Sequence, residues 1–289
     1  MDIVEDIKQT FKVGSVLTRL IYINLGVFLL VKLVSVLFYL AGVPFPLANW
    51  LSVPSNLHEL IQRPWTPVTY MFLHVGFLHI LFNILGLYWF GKMFLFHFEG
   101  RKLLSLYLMG GIAGALVYVA AYNIFPAFTG VYGLLLGASA SIFAILVALA
   151  VYDPNREILL MFIGPVRLKY VAGFYVLLSV VSISASNPGG NLAHLGGAAW
   201  GWFYIYQLRR GKDRGAGLVH FLDNLAKGMK PRIKMKVTYK QPPRDDHEYA
   251  KQKHEQQEEI NHILDKIAKS GYESLTKREK EILFKQGKK

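Results

Sequence analysis

The stretch Leu136-Gly137-Ala138-Ser139-Ala140-Ser141 sets a hydroxyl among small residues, in front of an apolar run that continues to Tyr152. A Gly-x-Ser turn that opens a helix is one way to expose a serine nucleophile, because small neighbours let other backbone approach the Oγ. A nucleophilic serine needs a base. His194, in Asn191-Leu192-Ala193-His194-Leu195-Gly196-Gly197, is the candidate. A tetrahedral intermediate also needs donors for its oxyanion, and the His79 ring, the Asn83 amide and the Ser139 backbone N–H are the groups available. The chemistry this set can do is acyl transfer. No carboxylate stands at a matching position on the segments that carry these residues, so a Ser-His dyad is expected rather than a Ser-His-Asp triad.

Two other readings compete for the same residues. Small residues and serines also mediate close packing between membrane helices, and an asparagine one turn from a histidine can bridge neighbouring helices. A metal site is the weaker alternative. His79 and His194 have no third imidazole or carboxylate at the same depth, although His74 stands a little more than one turn before His79.

The elements that must position these groups are apolar. Of 289 residues, 53% are hydrophobic and 18% charged, far from the balance of a soluble domain. The apolar residues come in blocks of about twenty, the length that crosses a bilayer. Six spans are expected, over 20–41, 68–90, 103–125, 139–152, 170–183 and 192–208, the fourth unusually short. The expected fold class is an all-α membrane protein: a six-transmembrane-helix bundle over 1–208, with a lead over 1–19 and a basic helical tail over 209–289. Between the first two spans, Gly42 to Pro67 carries five prolines and the tryptophans Trp50 and Trp65. It reads as a structured loop with short helices lying partly in one leaflet. Gly91 to Lys102 reads as a turn, and Asp153 to Lys169 as a loop with an apolar part, Ile158 to Ile163.

Charge places the ends. Lys8, Lys12 and Arg19, then Lys92, Arg101 and Lys102, then Arg156, Arg167 and Lys169 fall on one set of connections, and Arg63 stands alone on the other. Basic residues mark the cytoplasmic side, so both termini are expected there, in a multi-pass protein of a bacterial cytoplasmic membrane with no removable signal peptide. The net charge of +13 does not imply a nucleic-acid partner, because most of it follows the last apolar block. Anionic lipid is the expected partner of the basic stretch 230–244. In the tail, Leu218, Phe221, Leu222 and Leu225 predict an interfacial helix. Ile260, Ile263, Leu264 and Ile267 form a second helical stripe that stops near Gly271, and Thr276 to Glu279 reads as a capping box. The absence of cysteine excludes disulfides and thiolate metal sites. Neither a cofactor nor a metal is expected.

Depth supports the dyad. His79 stands thirteen residues before Lys92, Ser139 fourteen before Asp153, and His194 fifteen before Arg209. At about 1.5 Å per residue all three lie roughly 20 Å from the same membrane face. Polar groups that share one layer of a membrane read as functional. Of the two serines, Ser139 is expected to face His194. Phe143 lies one turn along the same helix face and can stack on the imidazole, and Ser141 points toward a neighbouring helix or its own backbone.

With these motifs in place, His79-x-x-x-Asn83, Gly137-x-Ser139 and Ala193-His194-x-Gly196-Gly197 in that order, the chain resembles the rhomboid family of intramembrane serine proteases. The resemblance implies a six-helix bundle with a water-filled cavity open to the outside, Ser139 as nucleophile and His194 as base. It implies that His79 and Asn83 help form the oxyanion hole, and that transmembrane proteins are the substrates. The loop 42–67 would be the family's membrane-embedded first loop. The fifth span and its cap, 184–191, would be a mobile gate. The residues themselves, apart from the resemblance, assign structural support to Gly137, Phe143, Gly196 and Gly197, and Gly196, Gly197 and Gly201 are expected to let the sixth span approach the fourth. Ala140 replaces the glycine the family commonly has after the serine, and Phe143 stands where many members have tyrosine. A non-catalytic rhomboid-like chaperone or substrate-binding protein is the alternative.

Overall fold

A computed structural model describes residues 2–160, 163–229 and 246–286. The chain divides into two compact units, Met1–Lys230 and Pro231–Lys289.

The first unit opens with a short amphipathic helix, α1 (Ile3–Val13), capped by the Asp2 side chain. Ser15 then caps α2 (Val16–Leu40) by accepting from the Thr18 N–H at 3.2 Å. The proline-rich stretch that follows forms α3 (Leu47–Leu51), strand β1 (Val53–Pro54), α4 (Leu57–Gln62) and α5 (Thr66–Thr69). Trp50 and Trp65 stack in this loop with ring centroids 6.1 Å apart, and the Trp65 indole N–H donates to the Trp50 carbonyl at 2.9 Å. Two long helices come next, α6 (Phe77–His97) and α7 (Gly100–Ile124). Strand β2 (Leu134–Leu135) leads into α8 (Ser139–Tyr152), and an antiparallel hairpin of β3 (Glu157–Leu160) and β4 (Gly164–Arg167) leads into α9 (Leu168–Val181). The bundle closes with α10 (Pro188–Arg209), followed by α11 (Ala216–Met229).

The fold is mostly helical, as expected. Among the described residues α2, α6 and α7 are long and apolar enough to cross a membrane, and α8 and α9 are shorter apolar helices. Leu29, Leu30, Leu33 and Leu37 on α2, Phe77 and Phe82 on α6, and Phe174 and Leu177 on α9 are exposed. A surface of this kind suits lipid rather than water. The chain is an integral membrane protein.

Four short strands correct the all-α expectation, and the supposed loop 153–169 contains the β3–β4 hairpin. The second apolar block is also not one helix over 68–90. It breaks at 73–76, and α6 starts at Phe77 and runs into the expected turn 91–102, ending at His97. Tertiary hydrogen bonds explain the break. The Tyr70 carbonyl accepts from the Gly137 N–H at 2.9 Å and the Met71 carbonyl accepts from the Tyr107 hydroxyl at 3.0 Å. The Tyr70 hydroxyl in turn donates to the Gly111 carbonyl at 2.6 Å. Backbone groups pulled toward α7 and the turn before α8 leave the helical ladder, and Gly76 begins a new one. The sixth apolar block starts earlier than expected, because Asn187 adopts a left-handed conformation (φ 46°) and its side chain accepts from the Gly190 N–H at 3.1 Å. Pro188 then takes the first helical position, where its missing N–H costs nothing.

Helix α8 is the core of the bundle. Residues on all its sides are buried, including Ala140, Ser141, Ile142, Ala144, Ile145, Ala148 and Leu149, as befits a helix enclosed by others. It packs against α6, α7, α9 and α10. Small residues set these distances. A side chain at Gly114 would come 2.6 Å from the Ala140 Cβ, and one at Gly196 would come 2.7 Å from the Ala113 carbonyl oxygen. Gly196 therefore admits α7, whereas Gly197 and Gly201 admit α8, against the Ala140 and Ala144 carbonyls.

In the second unit, α12 (Asp246–Ser270) stops at Gly271 and α13 (Lys277–Gln286) follows. The capping box is present: the Thr276 N–H donates to the Glu279 carboxylate at 2.6 Å, and the Glu279 N–H donates back to the Thr276 hydroxyl at 3.4 Å. Lys266 donates to both Glu279 oxygens at 2.9 and 3.1 Å, and together these bonds hold that carboxyl at about 2, against an ordinary 4.5. Of the expected stripe, Ile263 is buried and Leu264 half exposed. The basic stretch 230–244 lies outside the described residues.

Candidate active site

Three ties hold the turn before α8. β2 pairs antiparallel with β1, with Val53 opposite Leu135. The Gly137 N–H donates to Tyr70, and the Ala138 N–H donates to His74 Nε2 at 3.3 Å. Gly137 sits at φ 116°, and a Cβ there would come 2.7 Å from His79 Nε2. Only glycine meets both demands, a left-handed backbone and an imidazole against the main chain.

This turn delivers Ser139 as the first residue of α8. Its Oγ lies 2.8 Å from His194 Nε2. The imidazole is held from two further sides. Phe143 stacks on it with centroids 4.2 Å apart and planes 8° from parallel. The Ser179 hydroxyl lies 3.3 Å from Nδ1. Ala138 gives α8 no side-chain cap, so the N–H groups of the first turn are free of intrahelical partners, and the helix dipole adds partial positive charge beside Ser139. The Ala140 methyl packs against Gly114 on α7.

His79 and Asn83 stand on the first two turns of α6. The Asn83 amide donates to the His79 carbonyl at 2.7 Å, and its Oδ1 is buried with no hydrogen-bond partner among the described residues. The amide keeps a second N–H. His79 sits against Gly137, two residues before Ser139. Ser141 Oγ is fully buried without a hydrogen-bond partner among the described residues, and a Cβ on Gly111 would come 2.7 Å from it. It faces α7, and the expected alternative of a bond to its own backbone is not made.

By sequence His74 was weighed only as a third ligand in the metal alternative, and Ser179 was not singled out. His74 lies in the break before α6, fully buried, with its ring edge-on to His79 at 5.0 Å. Its nitrogens face the Phe72 carbonyl and the Ala138 N–H, which leaves it no lone pair for a metal shared with His79 and His194. Only the motif spacing His74-x-x-x-x-His79 pointed to it. Ser179 sits on α9 with no motif around it, and no sequence signal distinguishes it from a packing serine.

A helix N-terminus without a side-chain cap, beside a serine hydroxyl in contact with an imidazole, thus lies inside the apolar bundle of a membrane protein. Comparison with known proteins gives the family. Residues 62–211 match the Rhomboid domain, and the chain belongs to the rhomboid family. Residues 245–289 match a family of unknown function (DUF6576). The chain is similar to RHOMBOID-like protein 12, mitochondrial, of Arabidopsis thaliana, with 29% identity over 212 residues. That match covers 69% of this chain and 60% of the plant protein.

Proposed function

We propose that this chain is an intramembrane serine endopeptidase that cleaves single-span membrane proteins near the outer end of their membrane segment. The observation that carries the reading is the 2.8 Å contact between Ser139 Oγ and His194 Nε2 at the free N-terminus of α8. Ser139 Oγ attacks the scissile carbonyl carbon while its proton passes to His194 Nε2. The carbonyl π electrons move to oxygen, and the Ser139 N–H, the second Asn83 N–H and the His79 ring take up the oxyanion. Collapse expels the amine, which leaves with the proton from His194. Water, deprotonated by His194, then hydrolyses the acyl-enzyme. The base must start neutral, because an imidazolium cannot accept the serine proton.

A peptide bond inside a helix hides its carbonyl in the hydrogen-bond ladder. Substrates with small residues beside helix-weakening Gly, Pro or polar residues are therefore preferred. The test is covalent labelling of the wild-type chain by a serine-directed fluorophosphonate, together with cleavage of such a segment. A folded chain that does neither belongs instead with the non-catalytic members of the class.

Removing the Asn83 side chain should lower kcat by about 10- to 1000-fold, the scale for loss of one oxyanion donor. Unchanged kcat in Asn83→Ala would return this residue to helix packing.

The reading includes six membrane crossings, with α8, α9 and α10 as the last three, and both termini on the basic side. The charge asymmetry is what supports this orientation, and it names no particular organelle. The sequence lacks cysteine, so single thiols report cleanly. Ser186 and Lys212 are both exposed, at opposite ends of α10. Ser186→Cys should react with an impermeant maleimide from outside, and Lys212→Cys only after permeabilisation. The reverse pattern would overturn the orientation. Anionic lipid remains the proposed partner of the basic stretch after α11.

A further inference from the structure

We propose that Ser179 is a positioning residue that sets the tautomer of His194, so that the base of the dyad is prepared by helix α9 in place of a carboxylate. The inference rests on the protease reading of the Ser139–His194 pair. Ser179 is 3% exposed. Its hydroxyl makes two contacts, donating to the Tyr175 carbonyl one turn back at 3.0 Å and meeting His194 Nδ1 at 3.3 Å.

A hydroxyl carries one proton and two lone pairs, and a carbonyl oxygen can only accept. With the Ser179 proton on Tyr175, the Oγ can meet Nδ1 only as an acceptor. Nδ1 then carries the ring hydrogen, and Nε2 presents its lone pair to Ser139 at 2.8 Å. That is the tautomer able to take the serine proton. The opposite tautomer would place a hydrogen on Nε2, pointing at Ser139, and would ask Ser179 to leave Tyr175. Once Nε2 has accepted the proton, Nδ1–H must still have an acceptor, and the buried Ser179 Oγ is that acceptor. Phe143 fixes the plane of the ring and Ser179 fixes its hydrogen. Phe143 also meets Tyr175 edge-on at 6.1 Å, so the residue that anchors the Ser179 proton also flanks the stacking ring.

The test uses the full chain in micelles with 15N-labelled histidine, the His194 signal being assigned by its loss in His194→Ala. The wild type should show a single neutral tautomer protonated at Nδ1. Ser179→Ala should show a mixture or the other tautomer, and Ser179→Thr, which keeps the hydroxyl, should restore the wild-type signature. In cleavage assays Ser179→Ala should lower kcat on the order of 10- to 100-fold with KM little changed, the scale of one hydrogen bond to a charged group. Ser179→Thr should recover most of that loss. An unchanged His194 tautomer in a folded Ser179→Ala chain overturns the proposal, as does loss of activity that threonine does not rescue. A wild-type chain that neither labels nor cleaves overturns the protease reading. The tautomer comparison needs no turnover and still decides for or against the Ser179 contact.

Discussion

Replacing Ser139 with alanine should abolish covalent labelling by a fluorophosphonate and lower cleavage by about 10^4-fold or more, the scale for removing a nucleophile that acts as one unit with its base. Ser141→Ala should keep most of both. The two hydroxyls are two residues apart on the first turn of α8, and at 3.6 residues per turn they point in nearly opposite directions. Ser139 Oγ is 2.8 Å from His194 and partly accessible, whereas Ser141 is fully buried toward Gly111. The Ser141 hydroxyl has no partner among the described residues. Its removal should leave stability unchanged or raise it, because a buried hydroxyl without a partner costs about 1–3 kcal/mol. Ser139→Ala removes no packing contact of that kind, and its thermal unfolding in micelles should match the wild type. Mass spectrometry of the phosphonate adduct decides the matter: a modified Ser141, or full labelling of a folded Ser139→Ala chain, would sink the assignment of the nucleophile.

The parts of this site written in periodic or motif form were legible in the sequence. The i to i+4 spacing of Ser139 and Phe143 placed both on one helix face, and the Phe143 ring does stack on His194. The Thr276–Glu279 box was readable because its hydrogen bonds are local. Gly137 was readable because few residues can open a helix with a serine behind a tight turn, although the close approach of His79 was not. What the sequence hid depends on tertiary hydrogen bonds. The unbroken apolar run through Tyr70 and Leu73 gave no sign that Tyr107 would draw off the Met71 carbonyl and stop the helix. The break moved His79 from mid-helix to the first turn of α6, with His74 outside the helix beneath the Ala138 N–H. Strands β1 and β2 are two residues each, too short to show a period of two. Ser179 was invisible for the same reason, since its partner lies fifteen residues away on another helix. Gly196 and Gly197 were both expected to admit α8, but adjacent residues on a helix face different neighbours, and Gly196 turns to α7.

Gly197→Ala should be the most damaging single methyl in the bundle. A Cβ at Gly197 would overlap the carbonyl oxygen of Ala140 and crowd its carbonyl carbon. Both are backbone atoms, so no rotamer change relieves the clash, and α10 must move away from α8. Overpacking of this kind costs about 1–3 kcal/mol, and more where the backbone cannot give. The position matters as much as the energy. Gly197 is three residues after His194 and Ala140 directly follows Ser139, so the helices would be forced apart beside the dyad itself. A displacement of about 1 Å at a reacting pair can cost on the order of 100-fold in rate. Gly197→Ala should therefore lower both the unfolding temperature and kcat, with kcat down about 100-fold in whatever fraction remains folded. Gly201→Ala separates the two effects. Its methyl would overlap the Ala144 carbonyl one turn further along the same contact, so the stability loss should be similar and the kinetic loss smaller. Gly173→Ala on α9 is the control, because no heavy atom of another element among the described residues lies within 4 Å of its added Cβ, and its stability should be unchanged or higher by up to about 1 kcal/mol, since alanine suits a helix interior better than glycine. Melting curves in micelles read the first effect whether or not the chain is an enzyme. If Gly197→Ala melts with Gly173→Ala and keeps its kcat, then α8 and α10 do not meet backbone to backbone, and the 2.8 Å contact between Ser139 and His194 loses the packing that holds it.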